Sequence, residues 1–265
     1  MLTDPGRVRR GNEDYCAASL DTGIFLVCDG MGGAAAGEVA SHLATHTVLS
    51  HFATPCTDPL CTEKPQARLD HAIQAANHAV YEKSRTSPDL AGMGTTLVAL
   101  LHTPVERRVT SDTTPNSSIT IRPVPPNLWL AHVGDSRCYR RRGKDLVLLT
   151  ADHSLVEEQV RAGHITPAEA ASSPIRNLIT RAVGSQADVD AEIQGHRPRP
   201  GDLYLLASDG LTCELSTDDI AMVLSEIPSP VTQPYLAAAC ETLVKAANHN
   251  GGHDNITVLL LAFPL

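Results

Sequence analysis

Ile24-Phe25-Leu26-Val27-Cys28-Asp29-Gly30-Met31-Gly32-Gly33 is the stretch that decides the fold. Its short apolar run, closed by a glycine-rich turn, reads as a strand rather than a helix. The strand ends on a carboxylate, Asp29, and the neighbouring glycines let backbone and ligand approach closely. A strand end also holds that carboxylate rigidly, as a binding site requires.

The same pattern recurs outward from this point. Residues 95–101, 128–133, 146–149, 203–207 and 256–262 are further short apolar or β-branched runs bounded by turn formers. Three of them adjoin an acidic residue: 203–207 leads into Ser208-Asp209-Gly210, 128–133 into Gly134-Asp135-Ser136-Arg137, and His253-Asp254-Asn255 introduces 256–262. Helices are expected at 38–52 (Val39, Leu43, Val48), around 69–80 (Leu69, Ile73, Ala76, Val80) and at about 234–248, where Gly251 and Gly252 follow as a stop. Strands and helices do not alternate as in a doubly wound sheet. Stretches 54–66 and 103–127, rich in Pro, Ser and Thr, read as surface loops or insertions.

Composition narrows the function classes. The 265 residues suit one domain, and 42% apolar with 19% charged residues suits a folded core. A formal net charge of −9 and an aromatic content of 3% leave little for tracking or stacking on nucleic acid. No apolar run approaches the ~20 residues of a membrane span, and the N-terminus lacks a secretory signal, so a cytoplasmic protein is expected. Seven scattered cysteines without a CxxC pair read as free thiols.

One strand-end Asp taken singly is ordinarily a turn or cap residue. Four in similar settings point to hard divalent ions, because gathered carboxylates repel unless cations lie between them. Other signals are weaker. Gly30-x-Gly32-x-x-Ala35 formally fits a dinucleotide fingerprint, but no acidic residue lies between Glu38 and Asp58. His42 and His46 have zinc-ligand spacing without a glutamate after His42. The basic run Arg137, Arg140, Arg141, Arg142 and Lys144 reads as a solvated hairpin, with an acidic-protein docking patch as the alternative.

Read in order, Val8 to Asp14, Asp29 to Gly33 with Gly37 to Ser41, Gly94-Thr95-Thr96, Gly134 to Arg137, Thr150 to Ser154, Ser208-Asp209-Gly210 and Asp254 to Val258 resemble the metal-dependent type-2C protein phosphatases (the PPM family) in their bacterial form. The resemblance covers nearly the whole chain. It implies an α+β fold of four layers, an αββα sandwich of two antiparallel sheets with helices outside both. It also implies hydrolysis of phosphoserine and phosphothreonine in proteins, with Mn²⁺ or Mg²⁺ as cofactor.

The resemblance implies further that Asp29 bridges two ions, the Gly30 carbonyl binds one, and Asp209 and Asp254 complete the other. Glu13 would reach a metal through water with Asp14 beside it, Asp135 would hold a third, weaker ion, and Arg9 would grip the substrate phosphate. Paired ions lower the pKa of a shared water, so hydroxide can attack phosphorus in line. Where animal members carry a histidine after the Asp-Gly pair this chain has Met31, which cannot donate a proton. Residues 152–180 resemble the family's flap, with a short helix at Leu155, Val156 and Val160, and Asn177 near the third ion. The partners implied are phosphoprotein substrates and a cognate Ser/Thr kinase, with the protein acting as a monomer. A non-catalytic phosphoprotein binder and a two-metal phosphodiesterase or nuclease are the competing classes.

Overall fold

The computed structural model describes residues 1–32, 36–53, 64–103 and 126–263. The expected insertion at 103–127 and the loop at 54–66 fall mostly outside that range. The helix after the second of these begins at Pro65, inside the stretch expected to be loop, since proline at a first helical position forfeits no intrahelical hydrogen bond.

Eleven strands are described. One sheet contains, in spatial order, β2 (Asp14–Ser19), β3 (Ile24–Met31), β5 (Leu97–His102), β6 (Leu128–Val133) and β9 (Glu192–His196), with short β4 (Gly94–Thr95) also pairing with β3. The other runs β1 (Leu2–Asp4), β11 (Ile256–Ala262), β10 (Leu203–Ala207), β7 (Arg137–Arg142) and β8 (Asp145–Leu148). Every pairing is antiparallel.

Alternate residues of each central strand serve different layers, as a period of two requires. Ile24, Leu26 and Cys28 of β3 pack under helices α1 (Ala36–Ala53) and α2 (Pro65–Ser84), while Phe25 and Val27 face the other sheet. In β10, Leu203, Leu205 and Ala207 lie under α5 (Asp209–Thr212), α6 (Thr217–Ser225) and α7 (Gln233–Asn250), and Tyr204 and Leu206 turn inward. Three apolar layers between four layers of structure result, the αββα sandwich expected. Strands buried on both faces read as continuous apolar runs, which is why they were legible.

The elements that escaped the sequence reading lack that signature. β9, Glu-Ile-Gln-Gly-His, lies at a sheet edge and is polar, and β2 is half-buried. The basic run forms the expected hairpin of β7 and β8, but three of its arginines are engaged internally, Arg137 through bonds of 3.0, 3.2 and 2.7 Å to Asp152. Arg142 holds Asp202 through two bonds of 2.8 and 2.7 Å, and Arg141 donates to the carbonyls of Gly143 and Leu224.

The buried stripe of α1 starts with small residues, Ala36, Gly37, Ala40, Ser41 and Ala44, and continues to Val48 and Phe52, with Val39 and Leu43 beside it. Small side chains let the helix approach β3 closely. A Cβ on Gly30 would lie 2.1 Å from the Gly37 carbonyl oxygen, so only glycine permits this crossing. It brings the start of α1 over Asp29 and Gly30 at the end of β3. Among the described residues, no helix is long and apolar enough to cross a membrane.

Candidate metal centre

The carboxylates converge at one end of the two sheets. Asp29 lies near the end of β3, Asp135 between β6 and β7, Asp209 at the start of α5 after β10, and Asp254 just before β11. With Arg9, Glu13 and Gly30 they line a cavity of about 270 Å³. Seven of the eight sequence-predicted residues therefore share one space. The eighth, Asp14, does not line it: it pairs with Asp29 across β2 and β3, is 5% exposed, and lies behind the cavity accepting a 2.7 Å bond from Ser208 Oγ.

Backbone and side-chain bonds fix this end of the molecule. The Asp29 N–H donates to Thr96 Oγ1 at 3.0 Å, and the Asp29 carbonyl accepts from the Thr96 N–H at 2.8 Å and from Thr95 Oγ1 at 2.8 Å. Asn255, which sequence reasoning passed over as a ligand's neighbour, sews the N-terminal loop to the Asp254 turn. Its Oδ1 accepts the Glu13 N–H at 2.8 Å, and its Nδ2 donates to the carbonyls of Pro5 at 3.0 Å and Gly11 at 2.9 Å. Arg9, expected on the phosphate, donates from Nη2 to Asp254 Oδ2 at 2.7 Å. That pair is half-exposed, at 52% and 37%, so it holds the arginine by less than ~1 kcal/mol and leaves it free to exchange partners.

The electrostatics follow from crowding like charges. Burial, then the carboxylates of Asp14, Asp209, Asp135 and Asp254, push Asp29 well above the usual carboxylate range. Burial raises Asp14 to about 7 against the hydrogen bonds of Thr257 and Ser208, and it raises Asp135 to about 7 with help from Asp209. Asp209 is raised by burial and by Asp254, and Glu13 by burial. A ring of oxygens that resists ionisation together, with no thiol or imidazole among the described residues lining it, fits Mg²⁺ or Mn²⁺ by its chemistry. Cations there would reverse the repulsion.

Residues 152–180 form a lobe beside this cavity. It contains α3 (Leu155–Arg161) and α4 (Pro167–Ala171), and it closes where Ser154 pairs with Ile179 and the Leu155 N–H donates to the Leu178 carbonyl at 2.9 Å. Beneath it a second cavity of about 380 Å³ has Val156, Val160, Pro167 and Ala170 on its walls and shares Asp135, Asn177 and Asp209 with the first. Asn177 thus does face the carboxylates.

The protein phosphatase 2C family model matches residues 7–111. Over 266 residues the chain is 33% identical to the protein phosphatase PhpP of Streptococcus pneumoniae, covering 99% of this chain and 96% of that protein. It belongs to the protein phosphatase 2C family. It is also 37% identical over 262 residues to the serine/threonine protein phosphatase PstP of Mycobacterium tuberculosis, and there it spans only 43% of the relative's length. The crystal structure of that mycobacterial phosphatase superposes with a TM-score of 0.79 at 35% identity, covering 100% of this chain and 97% of the other. The catalytic domain of PstP solved with two manganese ions superposes with a TM-score of 0.74 at 34% identity, covering 98% and 94%.

Proposed function

We propose that this protein is a metal-dependent phosphatase that hydrolyses phosphoserine and phosphothreonine in other proteins. The observation that carries the reading is the convergence of Asp29, Asp209, Asp254, Asp135 and Glu13 with Arg9 on one cavity. The serine/threonine phosphatases to which the chain is similar support the substrate class, and the two manganese ions of the PstP catalytic domain support the cofactor.

Asp29, the Gly30 carbonyl, Asp209 and Asp254 would hold two divalent ions, Mn²⁺ or Mg²⁺, with Glu13 reaching one through water and Asp135 holding a third, weaker ion. When bound, such ions supply Lewis acidity toward phosphoryl oxygens and water. Asp14 buttresses Asp29 from behind. Arg9 leaves Asp254 to take the phosphate, for which the paired donors of a guanidinium suit the oxygens better than an ammonium. Met31 lines the cavity and cannot protonate the leaving alkoxide, so that proton comes from metal-bound water or another group. The lobe at 152–180 admits or rejects the polypeptide around the phosphorylated residue. The protein acts as a cytoplasmic monomer and reverses a cognate Ser/Thr kinase.

The test compares a phosphothreonine peptide, a small aryl phosphate and single-stranded DNA, each with Mn²⁺, with Mg²⁺ and with excess chelator. Turnover of the peptide should require the ion and vanish with Asp209→Asn or Asp254→Asn in folded protein. Undiminished turnover in chelator would refute the metal mechanism, and preferential cleavage of DNA would refute the substrate class. Binding of the peptide without any turnover would mark a non-catalytic relative.

A further inference from the structure

The turn that carries Asp135 has no side chain of its own to anchor its N-terminal flank. Gly134 stands at φ +98°, and a Cβ there would lie 2.7 Å from Thr96 Cγ2, so the position is restricted to glycine. On the C-terminal flank Ser136 Oγ lies 2.7 Å from Thr96 Oγ1, the same oxygen that accepts the Asp29 N–H. The glycine is held from outside by His153, at two points. The Gly134 N–H donates to His153 Nδ1 at 3.2 Å, and the His153 N–H donates to the Gly134 carbonyl at 2.9 Å.

His153 is 1% exposed and lies with His132 and Glu192 in a cluster whose potential ligand atoms all fall within 4.8 Å. That invites a metal, but the tautomers oppose one. Because His153 Nδ1 accepts a hydrogen bond, the neutral ring must carry its proton on Nε2, which faces Glu192 Oε2 at 3.8 Å. His132 Nε2 lies 2.9 Å from the Ala151 carbonyl and must likewise carry a proton. Neither nitrogen nearest the carboxylate has a lone pair to offer an ion.

The same facts assign another role. Glu192, held by a 2.7 Å bond from Gln194 Nε2 to Oε1, sets its Oε2 3.8 Å from His153 Nε2, beyond hydrogen-bond reach, where its charge favours the tautomer that can accept from Gly134, and the His132 ring stacks on His153 at 4.6 Å. Carboxylates fix metal-ligating histidines more closely, by accepting a hydrogen bond from the ring. In this fold the fixed nitrogen grips a backbone amide instead.

We propose that His153, oriented by Glu192, is a positioning residue that holds the Gly134 amide so that Asp135 presents its carboxylate to a divalent ion. The role rests on the proposed assignment of Asp135 to the weaker ion site. His153→Leu keeps bulk and removes the acceptor. His153→Asn returns an amide oxygen near the Nδ1 position, whereas His153→Gln places its amide near Nε2.

The experiment measures three quantities in wild-type and Asp135→Asn backgrounds: amide exchange at residue 134 in chelator-treated protein, Mn²⁺ affinity by calorimetry, and kcat/KM on a phosphothreonine peptide. His153→Leu should speed exchange at 134 and weaken the weaker Mn²⁺ site about tenfold, the scale of one buried hydrogen bond. Asn should restore most of this and Gln little. In the Asp135→Asn background the substitutions should change Mn²⁺ binding and kcat/KM no further, which a merely structural histidine would not produce. Equal proportional losses in both backgrounds, unchanged exchange at 134, or equal behaviour of Asn and Gln would overturn the role. An Asp135→Asn protein that matches wild type in Mn²⁺ binding and rate would overturn the ion-site assignment itself, and this role with it.

Discussion

Asp135→Asn should make the metal-free protein more stable, and more so as the pH rises. Burial, with the charges of Asp209 and Asp152, lifts the carboxyl from an ordinary 3.8 to about 7 in the folded state. The folded protein therefore holds this proton more tightly than the unfolded chain does. Its contribution to stability is fully present below pH 3.8 and is lost as the pH rises through 7. Holding the carboxyl at about 7 rather than 3.8 corresponds to roughly 4 kcal/mol of destabilisation at pH 8 and less than half of that at pH 5. The amide has no charge to strain against, so the variant should exceed wild type by up to those amounts. Urea unfolding in chelator at pH 5 and pH 8 measures both gaps. Saturating Mn²⁺ should shrink or reverse the gap at pH 8, because ions bound by the folded state stabilise it by mass action. A variant no more stable than wild type at pH 8 in chelator, or a gap that does not narrow at pH 5, would refute the electrostatic reasoning.

Two further substitutions probe the N-terminal loop. Arg9→Ala should raise KM for a phosphothreonine peptide more than it lowers kcat, by about 1.5–3 kcal/mol in kcat/KM, with Arg9→Lys recovering part; identical kcat/KM in all three proteins would remove Arg9 from the phosphate site. Asn255→Ala deletes three bonds from a side chain that is 5% exposed, and should cost about 2–4 kcal/mol of stability while loosening both Arg9 and Glu13. Chemical unfolding beside steady-state kinetics checks this, and a stable variant with normal kinetics would show the stitching to be dispensable.

By itself the sequence determined the strands that are buried on both faces, the strand-end carboxylates and the hard-ion chemistry they imply. These are local properties: the run of apolar residues and the carboxylate at its end are neighbours along the chain. Resemblance to a family added the layering and the roles of Arg9, Glu13 and Asp135. The polar edge strand β9 and the half-buried β2 were not legible, because what makes them strands is the partner each pairs with. Only the tertiary structure decided that Asp14 lies behind the cavity rather than in it, that Arg9 rests on Asp254, and that His153 grips the turn of Asp135. Those contacts join residues 194, 245 and 19 positions apart. No local pattern encodes such pairings, because the free energy that selects them belongs to the packed sheets and helices that bring distant strand ends to one place.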